Sequence, residues 1–309
     1  MSGGHFWAKS AILVAAALIL VVKSELARAC SVCGSDDPLV AVGDSSPNAG
    51  KLRLALSLSL VNARARSDDD PRVTEEVTRG TLTPTVVFSP LLRLNVALSV
   101  PVLRNRYRAT GPEGRLAVTL TGLGDTELGL RYFAWHDVNF VARRRQELAV
   151  SLGSSLPTGA NDAALDGERL DEHAQVGRGE FGPHIGVLYA FHRDPWHFTA
   201  DASVRAYTTN HYGYRYGSAA LWNVVAEASL TERVALELGV TGRDAAHDRQ
   251  SAGLQADTGG FVLQAVPGIS LGLPGAFWFR ARVEVPFVTR LFGVQNLGPT
   301  FAASVQWAP

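Results

Sequence analysis

The sequence predicts an all-β chain that forms a transmembrane antiparallel up-and-down β-barrel of about 12 strands, preceded by a cleaved signal peptide. The first observation is a period of two, in which leucine occupies every second position from Leu52 to Leu60. This period places alternate side chains on opposite faces of a sheet. The second observation is that such stretches recur to the end of the chain, with short and long connections alternating between them. Both features are typical of barrels that cross a membrane with strands.

The N-terminal residues have the features of an export signal. His5 and Lys9 precede an apolar run over residues 11–22, and Ala27-Arg28-Ala29 supplies small residues for cleavage. We therefore expect residues 1–29 to be a signal peptide, residues 30–49 a periplasmic N-terminal segment and residues 50–309 an outer-membrane β-barrel. The expected location is the outer membrane of a Gram-negative bacterium.

The charge balance argues against nucleic acid as a partner. The full chain has 29 basic and 29 acidic residues, and removal of Lys9, Lys23, Arg28 and Glu25 with the signal leaves 26 and 28. A nucleic-acid-binding surface would instead require a concentration of basic residues.

Twelve strands follow from the alternating pattern and from the turn residues between its repeats. Their predicted ranges are 50–62, 78–89, 91–103, 122–135, 143–156, 176–191, 196–208, 217–230, 233–242, 258–272, 276–289 and 298–308. The connections that follow the first, third and every later odd-numbered strand are mostly long and polar, whereas the others are mostly tight turns. An even number of strands places both ends of the barrel on the short-turn, periplasmic side.

One face of each strand is apolar and the other carries charged residues. We assign the charged face to the lumen, where the candidate solute-path residues are Arg53, Arg93, Glu127, Arg131, Glu147, Asp201, Arg205, Glu227, Glu237, Arg280, Arg282 and Glu284. These side chains either pair across strands and fill the barrel or form a polar path that orients solutes. The six positive and six negative charges favour a narrow, ion-paired lumen over a wide pore.

The barrel does not explain the only two cysteines, Cys30 and Cys33, which are expected at the periplasmic N-terminus. Gly34 follows Cys33, which excludes a c-type haem motif, and a second cysteine pair for zinc is lacking. Three interpretations stay open: a small disulfide, a redox-active or metal-handling dithiol, and lipid modification of Cys30.

Several local motifs carry a resemblance to a known family. They are Phe88-Ser89-Pro90-Leu91-Leu92-Arg93-Leu94, Gly122-Leu123-Gly124-Asp125-Thr126-Glu127-Leu128-Gly129, Ser155-Leu156-Pro157-Thr158-Gly159, and the C-terminal Val285-Pro286-Phe287 with Gly293-Val294-Gln295-Asn296-Leu297-Gly298-Pro299. Over about residues 50–309 the chain resembles the outer-membrane β-barrels grouped as the MetA-pathway of phenol degradation family. The resemblance implies a transporter or channel for small solutes, hydrophobic or aromatic ones included.

These features predict a channel or transporter with a narrow charge-lined lumen; the alternative is a non-transporting scaffold whose N-terminal dithiol docks a periplasmic redox or metal-handling partner. We expect no enzyme, cofactor or metal site, because the histidines are scattered, most of them in or beside predicted loops and turns, and His184, the likeliest strand histidine, follows Pro183 with no serine beside it. The expected partners are outer-membrane lipid, a small-molecule solute and a periplasmic protein at the N-terminal segment, with no nucleic acid and a monomeric state.

Overall fold

In a computed structural model, which describes residues 50–66, 72, 74–112, 114–251 and 253–309, the chain is built from β-strands. They are β1 (Leu52–Arg66), β2 (Thr74–Leu91), β3 (Leu94–Ser99), β4 (Val102–Gly111), β5 (Gly114–Leu123), β6 (Thr126–Asn139), β7 (Arg144–Leu156), β8 (Ala164–Leu165), β9 (Glu168–Arg169), β10 (Gly182–Arg193), β11 (Trp196–Arg205), β12 (Ala219–Ser229), β13 (Val234–Ala245), β14 (Arg249–Gln250), β15 (Gly253–Leu254), β16 (Gly260–Leu273), β17 (Phe277–Leu291), β18 (Gln295–Leu297) and β19 (Thr300–Trp307).

Fifteen of these strands form one antiparallel sheet, which closes into a barrel because β1 pairs with both β2 and β19. Three of the barrel strands are interrupted, and each of these consists of two consecutive segments: β3 with β4, β5 with β6, and β18 with β19. The described residues therefore form a closed barrel of twelve antiparallel strands, as the sequence predicts. The hairpins β8–β9 and β14–β15 lie in connections outside this sheet.

The predicted alternation of long and short connections is only partly confirmed, because two of the six connections predicted to be long are short: residues 112–113 between β4 and β5, and residues 292–294 between β17 and β18. Most of the predicted loop over residues 290–297 belongs to β17 and β18.

Residues 104–121 are not a loop: β4 and β5 continue the barrel wall as a long hairpin, paired from Val102↔Leu123 to Gly111↔Gly114. Apolar residues still alternate along β5, at Leu116, Val118 and Leu120, but Val118 and Leu120 pack against a buried cluster that includes Tyr107 and not against lipid. The tight turn between β2 and β3 is at Leu92 and Arg93 and not at Ser89-Pro90.

The outer surface of the barrel is apolar and the inner face is polar, as the period of two predicts. Leu56 and Leu238 are 47% and 66% exposed on the outside, whereas Arg53 is 4% exposed on the inside. Exposed aromatic side chains lie near the short-turn ends of the strands: Tyr132, Trp135, Trp196, Phe198, Phe277 and Trp278. An apolar band with an aromatic girdle around a closed barrel is the surface that a lipid bilayer requires. The protein is therefore an outer-membrane β-barrel.

Within the described residues, no helix is both long and apolar enough to cross a membrane. Residues 1–49, which include the predicted signal peptide and both cysteines, lie outside the described residues. The predictions about Cys30 and Cys33 therefore remain predictions.

Candidate functional site

The lumen encloses a cavity of about 260 Å³. On β1, β2 and β3 its wall carries hydroxyl groups, from Ser59, Thr81, Thr83 and Ser99. Around the rest of the circumference the wall carries charged and amide side chains: Glu127, Arg205, Asp201, Asn223, Arg243, Gln264, Arg282 and Glu284. Positive and negative groups are mixed on this wall, so the cavity has no single charge that would select ions of one sign.

The long connection between β7 and β10 bounds the cavity on the long-loop side. We call residues 170–178 of this connection the inward segment, since its residues 175–178 line the cavity. Asn105, which is buried on β4, donates from Nδ2 to the carbonyls of Ala174 (3.2 Å) and Gln175 (2.7 Å). Arg79 on β2 donates to Asn105 Oδ1 (2.8 Å) and to the carbonyl of His173 (3.3 Å). Side chains of the barrel wall thus hold the backbone of the inward segment.

A residue at the interruption between β5 and β6 holds the two ends of this connection together. Asp125, between β5 and β6, accepts hydrogen bonds from the backbone N–H groups of Gly159 (2.9 Å) and Arg178 (2.7 Å). The chain passes itself closely here, because a Cβ on Gly177 would lie 2.3 Å from the carbonyl carbon of Gly159. Only glycine allows so close an approach of two backbones. Asp125 therefore anchors a loop from elsewhere in the chain.

A tyrosine-rich core packs against the outer side of the inward segment. Buried tyrosines from β4 and from the β11–β12 connection surround Leu170 and Ala174; they are Tyr107, Tyr207, Tyr214 and Tyr216. Tyr216 donates its hydroxyl to the carbonyl of Glu172 (3.2 Å). Burial by itself would lower the pKa of Arg169, but the hydrogen bond and the charge of Glu172, 2.9 Å away, raise it above its ordinary value. The long-loop end of the lumen thus holds a folded element with its own core.

At the short-turn end, inward-facing side chains of eight neighbouring strands form what we call the charged belt: His136, Arg145, Glu147, His192, His197, Glu227, Glu237, Ser270 and Arg280. At one end of the belt, Glu147 lies 3.3 Å from Arg145 Nε and 3.5 Å from His136 Nε2. Arg145 also donates to His192 Nε2 (2.6 Å). Because a guanidinium group can only donate, His192 Nε2 is the acceptor in this contact.

The belt continues through a pair of stacked rings. The centroids of His192 and His197 lie 3.6 Å apart with an interplanar angle of 16°. His197 Nδ1 is 3.9 Å from Glu227, and Arg280 lies 3.4 Å from Glu227 and 2.5 Å from Glu237. Ser270 donates to Glu237 as well. Each charge in this half of the belt therefore has an opposite charge or a hydrogen-bond donor beside it.

The predicted lumen residues divide into three groups and one exception. Five line the cavity: Glu127, Asp201, Arg205, Arg282 and Glu284. Four belong to the charged belt: Glu147, Glu227, Glu237 and Arg280. Arg53 and Arg131 are buried on the inner wall. Arg93 is the exception, because it lies exposed in the turn between β2 and β3.

The sequence did not identify several lumen residues whose contacts are with residues far away in the chain. His136 and His192, which the sequence predicts in turns, lie on strands, as do His184 and His197, which are within predicted strands; all four face the lumen. Their positions in the alternating pattern place these histidines on the inward face, but the predicted strand boundaries excluded some of them. No comparable signal marked Asn105 or Gln175. Asp125 lies in one of the motifs quoted above, but the motif did not indicate its partners, which are distant in sequence. Among the described residues, no group of three or more His, Cys, Asp or Glu side chains could hold a metal ion.

Comparisons with known proteins agree with this architecture. Residues 35–288 match the family model described as "Putative MetA-pathway of phenol degradation". No curated protein sequence matches the chain. An outer membrane channel from Pseudomonas putida F1 has a similar fold, with a TM-score of 0.63 and 12% identity over 86% of this chain and 98% of that one. The toluene transporter TbuX of Ralstonia pickettii aligns with a TM-score of 0.41 and 8% identity over 85% and 92% of the two chains.

Proposed function

Because the chain belongs to the MetA-pathway of phenol degradation family and encloses a small polar cavity in its lumen, we propose that it is a narrow channel for small solutes. The observation that carries the proposal is the position of the cavity, between the inward segment and the charged belt. A transmembrane barrel that served only as a scaffold would have no need of such a space.

The volume and the lining of the cavity indicate which solutes pass. About 260 Å³ is below the roughly 300–1,000 Å³ of pockets that hold drug-sized ligands, so a solute of a single ring or less fits. The mixed charges favour uncharged solutes, because an ion of either sign would meet like charges on the wall. The family description supports small aromatic compounds as members of this class.

Swelling of liposomes that contain the purified protein tests the proposal, with a graded series of neutral solutes from erythritol to raffinose, and with gluconate and lysine as charged solutes. We expect rapid swelling with erythritol, slower swelling with the ions and none with raffinose. A variant in which a short Gly-Ser linker replaces residues 162–176 serves as the control for insertion of the protein into the liposomes. It lacks most of the inward segment, so the long-loop end of its lumen should be open. Swelling by this variant with no swelling of the wild type for any solute would contradict the proposal.

A further inference from the structure

Two neighbouring strands place a carboxylate and a hydroxyl side by side on the cavity wall. Glu127 on β6 is the register partner of Ser155 on β7, and both residues line the cavity. Side chains of directly opposed residues on one face of a sheet lie about 4.5–5.5 Å apart at Cβ. The two groups can therefore contact the same small molecule.

Each of the two side chains has a polar atom whose hydrogen bonding is not satisfied by the protein. Arg205 engages only one carboxylate oxygen of Glu127, namely Oε1. Within the described part of the chain, neither Glu127 Oε2 nor Ser155 Oγ has a hydrogen-bond partner, although both atoms are buried. A buried polar atom without a partner costs about 1–3 kcal/mol, so two adjacent ones on a cavity wall call for a ligand that satisfies them.

The neighbouring strand leaves room for the Ser155 hydroxyl. Gly182 on β10 is the register partner of Ser155. A Cβ at Gly182 would lie 2.4 Å from Ser155 Oγ and 2.9 Å from the Tyr207 ring. Glycine at this position therefore preserves the space around the hydroxyl, which any larger residue would occupy.

We propose that Glu127 and Ser155 form a subsite that binds the hydroxyl group of a small uncharged solute, an inference that rests on the channel function proposed above. A hydroxyl group both donates and accepts a hydrogen bond. It donates to Glu127 Oε2 and accepts from Ser155 Oγ, which satisfies both atoms at once.

The surroundings of the subsite disfavour the other solute classes. A cation drawn to Glu127 meets the guanidinium group of Arg205, which already pairs with that carboxylate, and Arg178 on the same cavity wall. An anion is repelled by the carboxylate itself. A hydrocarbon leaves both polar atoms without partners, and sites of this kind discriminate strongly against ligands that lack the required hydroxyl.

Binding of two matched probes tests the proposal: 4-fluorophenol, and 4-fluoroanisole, which has a methoxy group in place of the hydroxyl. Fluorine NMR titrations of the purified full-length protein in detergent measure both. We expect 4-fluorophenol to bind more tightly to the wild type and to lose about fivefold in affinity in Ser155→Ala, whereas 4-fluoroanisole is unaffected. Gly182→Ala keeps the hydroxyl but fills the space beside it, and should weaken 4-fluorophenol binding as well.

Ser151→Ala is the matched control, since Ser151 lies four residues earlier on β7 and does not line the cavity. Equal binding of the two probes to the wild type, or an unchanged 4-fluorophenol affinity in both Ser155→Ala and Gly182→Ala, would overturn the subsite. Such a result would leave the channel function intact, because that function is tested separately by solute flux in liposomes.

Discussion

The two ends of the lumen are lined by different kinds of structure. At the long-loop end, backbone groups of the inward segment are hydrogen-bonded to Asn105 and Asp125, and the tyrosine-rich core packs against them. At the short-turn end, the charged belt consists of side chains that project directly from strands, such as Glu147 and Arg280. The inward segment is a folded loop, whereas the charged belt is a set of side chains on the barrel wall.

This difference has consequences for how each end responds to change. The inward segment is held cooperatively, so the loss of a single anchor loosens a stretch of backbone and alters the size of the passage. The side chains of the charged belt project from strands whose backbone is held by the hydrogen bonds of the sheet. The loss of one of these side chains therefore alters the local charge, while the passage keeps its shape. Mutations at the long-loop end should therefore change conductance, and mutations in the belt should change ion selectivity.

The largest expected effect follows from replacing residues 162–176, which contain most of the inward segment. Gly177 donates its N–H to the carbonyl of Ala160 (2.7 Å), so the two ends of the connection are already close and a short Gly-Ser linker can replace residues 162–176. We expect single-channel conductance in planar bilayers to rise about fivefold, because the pore then widens to the barrel wall. Asp166→Asn, at the exposed tip of the β8–β9 hairpin, should conduct like the wild type. An unchanged conductance after the replacement would show that the constriction lies elsewhere.

An intermediate effect is expected from Asn105→Ala. This change removes two hydrogen bonds to the inward segment and the acceptor for Arg79, which should destabilise the barrel by about 2 kcal/mol. The thermal unfolding midpoint should fall, and single-channel recordings should contain brief openings to a larger conductance. The control is Asn296→Ala, since Asn296 is exposed on β18. A lower midpoint with a steady wild-type current would mean that Asn105 stabilises the wall but does not hold the inward segment.

The smallest expected effect is that of Glu147→Gln. The substitution removes one negative charge beside Arg145 and His136 while it keeps the side-chain volume. The permeability ratio of chloride to potassium should rise about twofold, with conductance nearly unchanged. The reversal potential in a salt gradient measures this ratio. Glu232→Gln in the exposed turn between β12 and β13 should leave it unaltered, and a changed conductance in Glu147→Gln would contradict the contrast between the two ends.

The sequence predicted the barrel wall far better than the site. Alternation along single strands identified twelve strands and placed eleven of the twelve proposed lumen residues on the inner face, with Arg93 as the exception. It failed over residues 104–121, where β4 and β5 form a paired hairpin whose alternating apolar side chains Val118 and Leu120 pack against an internal cluster and not against lipid. It also gave no sign of the inward segment, because a polar loop looks the same whether it lies in water or folds into a lumen.

The sequence by itself determined which face of each strand meets lipid, because a period of two is a local property of the strand. A shift of one residue would turn all the apolar side chains of a strand into the lumen and all its polar side chains towards lipid. Only the tertiary structure decided which charges meet. Glu127 and Arg205 are 78 residues apart in sequence and pair because the barrel closes with its particular register. The same closure brings Asp125 to Gly159 and Arg178, and stacks His192 on His197. These contacts depend on relative strand positions, which no single stretch of sequence encodes.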